Sequence, residues 1–197
     1  MPPRVTAEEV ITRLAHTLAP PLIAIDGLPC SGKSTLADQI QAAYGFECLY
    51  LDDFVRPKEE WLLQSKPAFP FEYIRYDEFI AAIGTLATTG HCTYLPFDWE
   101  TRAIAKEPRT ISLARPVVIE GVSSLNPAIA DLYGLRIFVD GDRSTTLEAA
   151  IGRGGGMWAD QWRDLFMPSV DLYMQTDPER RADLIVPGRG ALSAKSR

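Results

Sequence analysis

A glycine-rich segment between an apolar run and a helical pattern constrains this chain more than any other feature. Leu22–Ile25 is wholly apolar and precedes a G-x-x-x-x-G-K-S motif at residues 27–34. An apolar run of this length, closed by Asp26 and Gly27, predicts a parallel strand buried on both faces. Glycines let the backbone curl so that its N–H groups face a phosphate, and the start of the following helix adds positive potential. We therefore predict a phosphate-binding loop rather than a chance glycine-rich turn, since the motif and both flanks coincide.

Two side chains of this loop carry the chemistry of nucleotide binding. A lysine at the position of Lys33 reaches the β and γ phosphates, and a hydroxyl at the position of Ser34 binds magnesium. The sequence thus predicts ATP and Mg²⁺ as cofactors. Cys30 is interpreted as a small loop-filling residue, with an oxidisable thiol as the alternative. The residues expected to contact the nucleotide are Gly27, Pro29, Cys30, Ser31, Gly32, Lys33, Ser34 and Thr35.

The alternation of strand and helix continues along the chain. Strands are predicted at 22–25, 47–51, 116–119, 135–139 and 184–186, and helices at 6–18, 33–43, 77–88, 144–151 and 160–173. This order predicts an α/β chain with the three-layer P-loop NTPase fold, in which helices cover both faces of a mostly parallel sheet. A single domain over residues 1–197 is expected. The segments 56–73 and 94–108 are rich in proline and aromatic residues, which indicates substrate-side loops or small subdomains.

The charge and composition of the chain favour a small-molecule partner. The net charge is −6 and the pI is about 5.0, so neither nucleic acid nor an anionic membrane is an expected partner. No segment approaches the roughly 20 apolar residues that cross a bilayer, and we expect a soluble cytoplasmic protein. Three cysteines without paired spacing argue against a disulfide framework or a zinc site. A homo-oligomer is left open.

Acidic residues follow two further predicted strands. Asp52 and Asp53 come after the strand at 47–51, and Glu120 comes after the strand at 116–119. Ligands bind beyond the carboxyl ends of parallel strands, so these acids should lie at the ligand-binding edge. Glu120 is predicted to hold magnesium, with a capped surface strand as the alternative. One acid of the pair suits a general base, while a helix cap or a lysine partner is the alternative.

These motifs together resemble the uridine kinase and phosphoribulokinase superfamily, which includes nicotinamide riboside kinases. The resemblance rests on the phosphate loop, Leu-Asp-Asp-Phe at 51–54, Val-Ile-Glu-Gly at 118–121 and Ala-Asp-Leu-Ile-Val-Pro at 182–187, and it spans residues 21–187. It implies an ATP-dependent kinase acting on a hydroxyl of a small metabolite, with a nucleoside or riboside as the expected acceptor. Pantothenate or a sugar as acceptor stays open, as does a regulatory P-loop ATPase that binds a protein partner.

The resemblance also implies individual roles. Asp52 corresponds to the family's base, and Asp77 to an acid that holds ribose hydroxyls, although Asp77 also suits a helix N-cap. Phe97 and Asp98 resemble an acceptor-pocket element, with an aromatic staple of the loop as the alternative. The residues assigned to the acceptor are Asp52, Asp53, Phe54, Asp77, Phe97, Asp98 and Arg102.

A glycine-rich segment at residues 153–160 is interpreted as a short lid. Arg153 is followed by three glycines, which suit a hinge. We expect closure to carry Arg153 to the transferring phosphoryl group, as a catalytic residue that Arg163 could assist. The alternative is a surface turn in which Arg153 pairs with an acid such as Asp160.

Overall fold

The centre of the computed structural model is a five-stranded parallel sheet with the strand order β2-β7-β1-β8-β9. The structure describes residues 2–16, 21–61 and 65–191. Its strands are β1 (Leu22–Gly27), β2 (Glu47–Tyr50), β3 (His91–Tyr94), β4 (Phe97–Asp98), β5 (Ala103–Ile104), β6 (Arg109–Ser112), β7 (Val117–Glu120), β8 (Leu135–Asp140) and β9 (Leu184–Pro187). The five strands predicted from the sequence are confirmed as the five strands of this sheet.

Helices occupy the connections between the strands. They are α1 (Ala7–His16), α2 (Lys33–Tyr44), α3 (Lys58–Trp61), α4 (Tyr76–Thr89), α5 (Arg143–Arg153), α6 (Ala159–Gln161), α7 (Met167–Met174) and α8 (Pro178–Arg181). At the start of α1, the Glu9 amide donates to the Thr6 hydroxyl at 3.1 Å and the Thr6 amide donates to the Glu9 carboxylate at 2.6 Å. This reciprocal pair is a capping box. Residues 17 and 18 of the predicted first helix lie outside the described residues.

Buried side chains cover both faces of the sheet because successive residues of a strand point in opposite directions. In β1, Leu22 and Ala24 join a core cluster that includes residues of α4 and α7, whereas Ile23 and Ile25 join a cluster that includes residues of α1 and α2. All four side chains are almost completely buried. The predicted α/β arrangement of three layers is therefore confirmed.

Two segments have structure that the sequence did not specify. Residues 94–108, predicted to form a substrate-side loop or a small subdomain, contain the β4–β5 pair and Tyr94 at the end of β3, which pairs with β6. The helix predicted at 160–173 is a helical run interrupted by a π-helical turn at Trp162–Phe166, in which the Met167 amide donates to the Trp162 carbonyl. Pro168 follows this turn and has no N–H to donate, so a regular ladder cannot continue through it.

One buried carboxylate joins three separate parts of the fold. Asp26, in β1, accepts hydrogen bonds from the amides of Gly27 at 2.6 Å, Ser123 at 3.1 Å and Leu125 at 2.7 Å. It also accepts a hydrogen bond from the hydroxyl of Tyr173 in α7. Burial raises the pKa of Asp26, and these four donors act in the opposite direction. The end of β1, the segment after β7 and α7 are thus tied together at one side chain.

Replacement of Asp26 should destabilise the fold strongly. Asp26→Ala leaves three buried amides and a buried hydroxyl without their acceptor, so we expect a loss of at least about 3 kcal/mol in the free energy of unfolding. Urea denaturation measures this loss. The exposed Asp131→Ala serves as a control and should change stability by less than about 0.5 kcal/mol; equal stability of both variants would contradict the anchoring role.

Candidate active site

The phosphate loop between β1 and α2 has a backbone that only glycine suits at one position. Gly27 has φ of +143°, and a Cβ atom there would lie 2.2 Å from the Val139 carbonyl oxygen. At the other end, Gly32 is the N-cap of α2 and has φ of +116°. The first amides of a helix have no carbonyl partner within the helix, so the start of α2 can donate to an anion. The loop therefore has the backbone of a phosphate site.

Lys33 lies at the base of this loop. Its side chain is buried, its amine donates to the Leu28 carbonyl at 2.8 Å, and it lies 4.0 Å from the Glu120 carboxylate. The cation is thus held between the loop and the end of β7. This donor set of backbone amides and one lysine amine fits the phosphates of a nucleotide.

Glu120 is the last residue of β7, which lies between β2 and β1 in the sheet. The alternative of a capped surface strand is therefore wrong. Burial raises the pKa of Glu120 to about 7, and the negative charges of Asp52, Asp26 and Asp38 act in the same direction, against Lys33. The carboxylate is thus held in a site that favours a cation beside it.

The oxygens of Glu120 and Ser34 fit a magnesium site that has few protein ligands. Ser34 is the second residue of α2 and is exposed, while the Glu120 carboxylate lies 4.0 Å from the Lys33 amine. Among residues 2–16, 21–61 and 65–191, no group of three or more His, Cys, Asp or Glu side chains could hold a metal ion by itself. Such a site suits Mg²⁺, which is usually bound by one or two carboxylates together with substrate phosphates and water.

Asp52 lies in the 3₁₀ turn at Leu51–Phe54, directly after β2, and is exposed. Loss of solvation raises the pKa of its carboxyl group and the charge of Asp53 adds to the rise, while Lys33 and Arg153 lower it. Because one side of the residue stays open to solvent, hydration moderates these effects. Asp52 therefore shares an electrostatic environment with both predicted catalytic cations.

The neighbouring Asp53 is engaged by other side chains. Its Oδ2 accepts a hydrogen bond from the Tyr94 hydroxyl at 2.7 Å and forms an ion pair with Arg109 at 2.9 Å. Arg109 also donates to the Cys48 carbonyl at 2.7 Å, and so holds β6 against β2. Tyr94 and Arg109 are not among the site residues expected from the sequence, in which only the aromatic content of the 94–108 segment pointed towards this region. The two adjacent acids thus differ, since Asp53 is paired and Asp52 is open.

Phe54 is completely buried and packs against Phe79 and Tyr94, at ring-centroid distances of 5.5 and 4.7 Å. Its side chain belongs to the core between α4 and β3. Any influence of Phe54 on the acceptor must therefore pass through its neighbours, and its assignment to acceptor binding stays a prediction.

Asp77 is exposed in the first turn of α4, whose N-cap is Arg75. The helix begins one residue before Asp77, so Asp77 is not the N-cap that the alternative interpretation required. Arg75 is buried and donates to the carbonyls of Asp53 and Leu95, both at 2.8 Å. The helix start is thus held beside the acid pair, and a role of Asp77 towards an acceptor stays a prediction.

The hairpin formed by β4 and β5 carries the predicted Phe97, Asp98 and Arg102. Phe97 is buried and its ring contacts Trp99 edge to face, with centroids 5.0 Å apart. Asp98 accepts from the Glu100 amide and from the amide and hydroxyl of Thr101. These bonds lower the pKa of Asp98. In this structure Asp98 organises the hairpin turn, and its contribution to an acceptor pocket stays a prediction.

The predicted lid lies between α5 and α6 and contacts two segments. Arg102 of the hairpin donates to the Met157 sulfur at 3.9 Å, and the rings of Trp61 and Trp158 lie 6.1 Å apart. Asp160 pairs with Arg163 at 3.4 Å. In the described part of the chain, no ion pair between Arg153 and Asp160 occurs, whereas the charge of Arg153 acts on Asp52. The predicted lid therefore contacts the hairpin through Met157, and its Arg153 acts electrostatically on Asp52.

The raised pKa of Glu120 predicts a pH dependence of stability. Between its usual pKa of 4.5 and about 7, the folded state holds a proton that the unfolded state has released. The free energy of unfolding therefore falls as the pH rises through this window. Glu120→Gln removes this titration, and the variant should gain about 1 to 3 kcal/mol relative to the parent protein across it.

Urea denaturation between pH 4.5 and pH 8, without nucleotide or metal, measures this difference. The exposed Glu8 of α1 gives the control Glu8→Gln. Identical pH profiles of stability for Glu120→Gln and the parent protein would contradict the raised pKa of Glu120.

This chain is similar in sequence to uridine kinases and similar in fold to solved P-loop kinases. No protein-family model matches the chain. A uridine kinase from Mycoplasma pneumoniae is 26% identical over 180 residues, which cover 84% of this chain and 84% of the relative. A possible uridine kinase from Bacillus stearothermophilus superposes with a TM-score of 0.69 at 19% identity, over 91% of this chain and 96% of that one. The phosphoribulokinase from Rhodobacter spheroides has a TM-score of 0.60 at 16% identity, over 89% and 72% of the two chains.

The described residues contain no helix with the length and apolar character that a membrane crossing needs.

The similarity to uridine kinases extends over most of the chain, and the solved kinases share its fold. Together with the phosphate loop, these similarities support an ATP-dependent phosphotransferase, which resembles uridine kinases in sequence and shares its fold with a phosphoribulokinase.

Proposed function

We propose that this kinase transfers the γ-phosphoryl group of ATP to a hydroxyl of a nucleoside or riboside, with Asp52 as the general base. The observation that carries the proposal is the difference between two adjacent acids. Asp53 is occupied by Tyr94 and Arg109, while Asp52 is exposed and under the charges of Lys33 and Arg153. A base that receives a hydroxyl proton must be accessible to the acceptor and must lie near the phosphoryl group.

The nucleotide side of the proposed reaction uses the phosphate loop. The amides of the loop and Lys33 bind the phosphates and neutralise part of their charge. Glu120 and the Ser34 hydroxyl would hold Mg²⁺, which supplies positive charge at the β and γ phosphate oxygens when it is bound. Glu120 lies 4.0 Å from Lys33, so a metal at Glu120 and the lysine would act on the same group of phosphates.

The acceptor side is proposed to lie between the acid pair, the start of α4 and the β4–β5 hairpin. Exposed Asp77 is proposed to bind ribose hydroxyls, with Phe97, Asp98 and Arg102 in the wall of the pocket. The M. pneumoniae relative, a uridine kinase, supports a nucleoside over pantothenate or a sugar. The exposed acid and the aromatic residues of the hairpin suit a ligand with both hydroxyls and a ring.

A coupled assay of ADP release tests the proposed function. Nucleosides, ribosides, pantothenate and sugars are compared with a reaction without acceptor, and release should rise above that background with a nucleoside or riboside. Lys33→Ala is the negative control, because it removes the phosphate-binding cation. Nucleotide hydrolysis that no acceptor stimulates would contradict a kinase and favour a regulatory ATPase.

The two acids should respond differently to neutralisation. Asp52→Asn should lower kcat by about 10² to 10⁴-fold with little change in ATP affinity, because general-base removal has this effect. Asp53→Asn keeps the bond from Tyr94 and loses charge only against Arg109, so its effect on kcat should be smaller. Steady-state kinetics with the best acceptor gives the ranking; a larger loss of kcat in Asp53→Asn would reverse the assignment.

Single and double variants distinguish the contributions of Arg153 and Arg163 to catalysis. Arg153→Ala should lower kcat more than it weakens ATP binding, because a cation that arrives on closure stabilises the transition state most. Arg163 already pairs with Asp160, so Arg163→Ala should have a smaller effect. Wild-type kcat in Arg153→Ala, Arg163→Ala and the double variant would mean that the lid supplies no catalytic charge.

A further inference from the structure

The segment after the last strand contacts the phosphate loop directly. We call residues 188–190, which follow β9, the C-terminal turn. The Arg189 amide donates to the Ser31 carbonyl at 2.9 Å, and the Arg189 Nε donates to the Cys30 carbonyl at 3.1 Å. Both acceptors belong to the middle of the phosphate loop. A residue 159 positions away in sequence from Cys30 therefore holds two consecutive loop carbonyls.

The C-terminal turn is itself held by the end of β8. The Gly188 amide donates to the Asp140 carbonyl at 2.8 Å, and the Asp142 amide donates to the Arg189 carbonyl at 3.0 Å. Gly188 fits tightly, because a Cβ atom at this position would lie 2.3 Å from the carbonyl oxygens of both Asp140 and Ser31. The turn is thus packed between the phosphate loop and the loop that begins α5, and it cannot shift without disturbing Ser31.

The phosphate loop needs such support at this point. Cys30 has φ of +56°, a left-handed conformation that is unfavourable for residues other than glycine. A phosphate site also requires that amides converge on the anion while the carbonyls between them point away from it. The Arg189 amide bonded to the Ser31 carbonyl and the Arg189 guanidinium bonded to the Cys30 carbonyl stabilise that arrangement, and the guanidinium charge lies beside the negative end of the Cys30 carbonyl dipole.

We propose that Arg189 is a positioning residue for the ATP phosphates. It holds the carbonyls of Cys30 and Ser31 on the outer side of the loop, and so keeps the loop amides aimed at the nucleotide. The inference rests on the proposed ATP-dependent function, and it concerns phosphate binding before any transfer. Because Arg189 acts through the loop, it should affect the affinity for the phosphate groups of a ligand, whether or not the ligand carries a nucleoside. It should not affect the affinity for the acceptor.

The test measures binding by the full chain without acceptor. Titration calorimetry with MgATP and with magnesium tripolyphosphate compares Arg189→Ala, Arg189→Lys and a control. Arg180 is also an exposed arginine, lies in α8, and supplies the control Arg180→Ala. Arg189→Ala should weaken the binding of both ligands by the same factor, roughly threefold to tenfold, which corresponds to the loss of one hydrogen bond of ordinary strength from an exposed side chain. Arg189→Lys, which keeps a cationic donor, should recover part of the loss, and Arg180→Ala should bind as the parent protein does.

A second variant and a kinetic readout separate positioning from simple loss of structure. Gly188→Ala presses on the Ser31 carbonyl from the same side, and it should weaken tripolyphosphate binding although Arg189 is present. In turnover assays, Arg189→Ala should raise the KM for ATP by the same factor as the dissociation constant, with the KM for acceptor unchanged. Thermal melting of each variant verifies that it is folded.

The outcomes distinguish this inference from the proposed function. Parent-like binding of both ligands by folded Arg189→Ala would overturn the inference and leave the kinase assignment intact. A loss with MgATP alone would indicate a contact with the nucleoside and would also overturn it. If the parent protein binds neither ligand, the proposed function itself fails.

Discussion

The candidate active site depends on the hydrogen bonds that the buried Asp26 carboxylate accepts. It accepts hydrogen bonds from the first residue of the phosphate loop, from the segment after β7 and from α7. Each of these parts adjoins a candidate functional segment, since β7 ends in Glu120 and α7 comes after the predicted lid in the chain. A polar group that is buried away from water must form its hydrogen bonds within the protein, because buried donors without an acceptor lower the stability of the fold. The arrangement therefore specifies one relative position of loop, strand end and helix.

Around this anchor, the strand ends collect more acid than base. The negative charges of Asp52, Asp26 and Asp38 all raise the pKa of Glu120, and Lys33 is the buried cation beside it. A site of this kind gains when positive charge arrives with a ligand, because each added cation favours the ionised carboxylates. The proposed magnesium ion and Arg153 of the predicted lid would both supply such charge.

The small antiparallel sheets also contribute to the chemistry. Tyr94 at the end of β3 and Arg109 at the start of β6 are antiparallel partners, and both bind Asp53. Two adjacent acids on one turn would otherwise repel each other and compete for the same cations. Because the β3–β6 pair engages Asp53, Asp52 remains the carboxylate that is open to solvent. Two chemically identical side chains thus differ in their environment, and a structural element remote in sequence causes the difference. The C-terminal turn likewise brings a residue remote in sequence to the phosphate loop, where Arg189 donates to the carbonyls of Cys30 and Ser31.

The sequence by itself determined the five central strands, the phosphate loop and the acids at the strand ends. These features depend on local physics, namely apolar runs that must be buried, glycines where φ is positive, and strand ends that share one edge in a parallel sheet. It did not determine which acid is paired, because Asp53 meets its partners 41 and 56 residues away. Nor did it reveal the partners of Asp26 or the contact of Arg189 with Cys30, at separations of 97 and 159 residues. Those contacts form only when distant segments pack together, and short-range periodicity carries no information about them; the tertiary structure alone decided them.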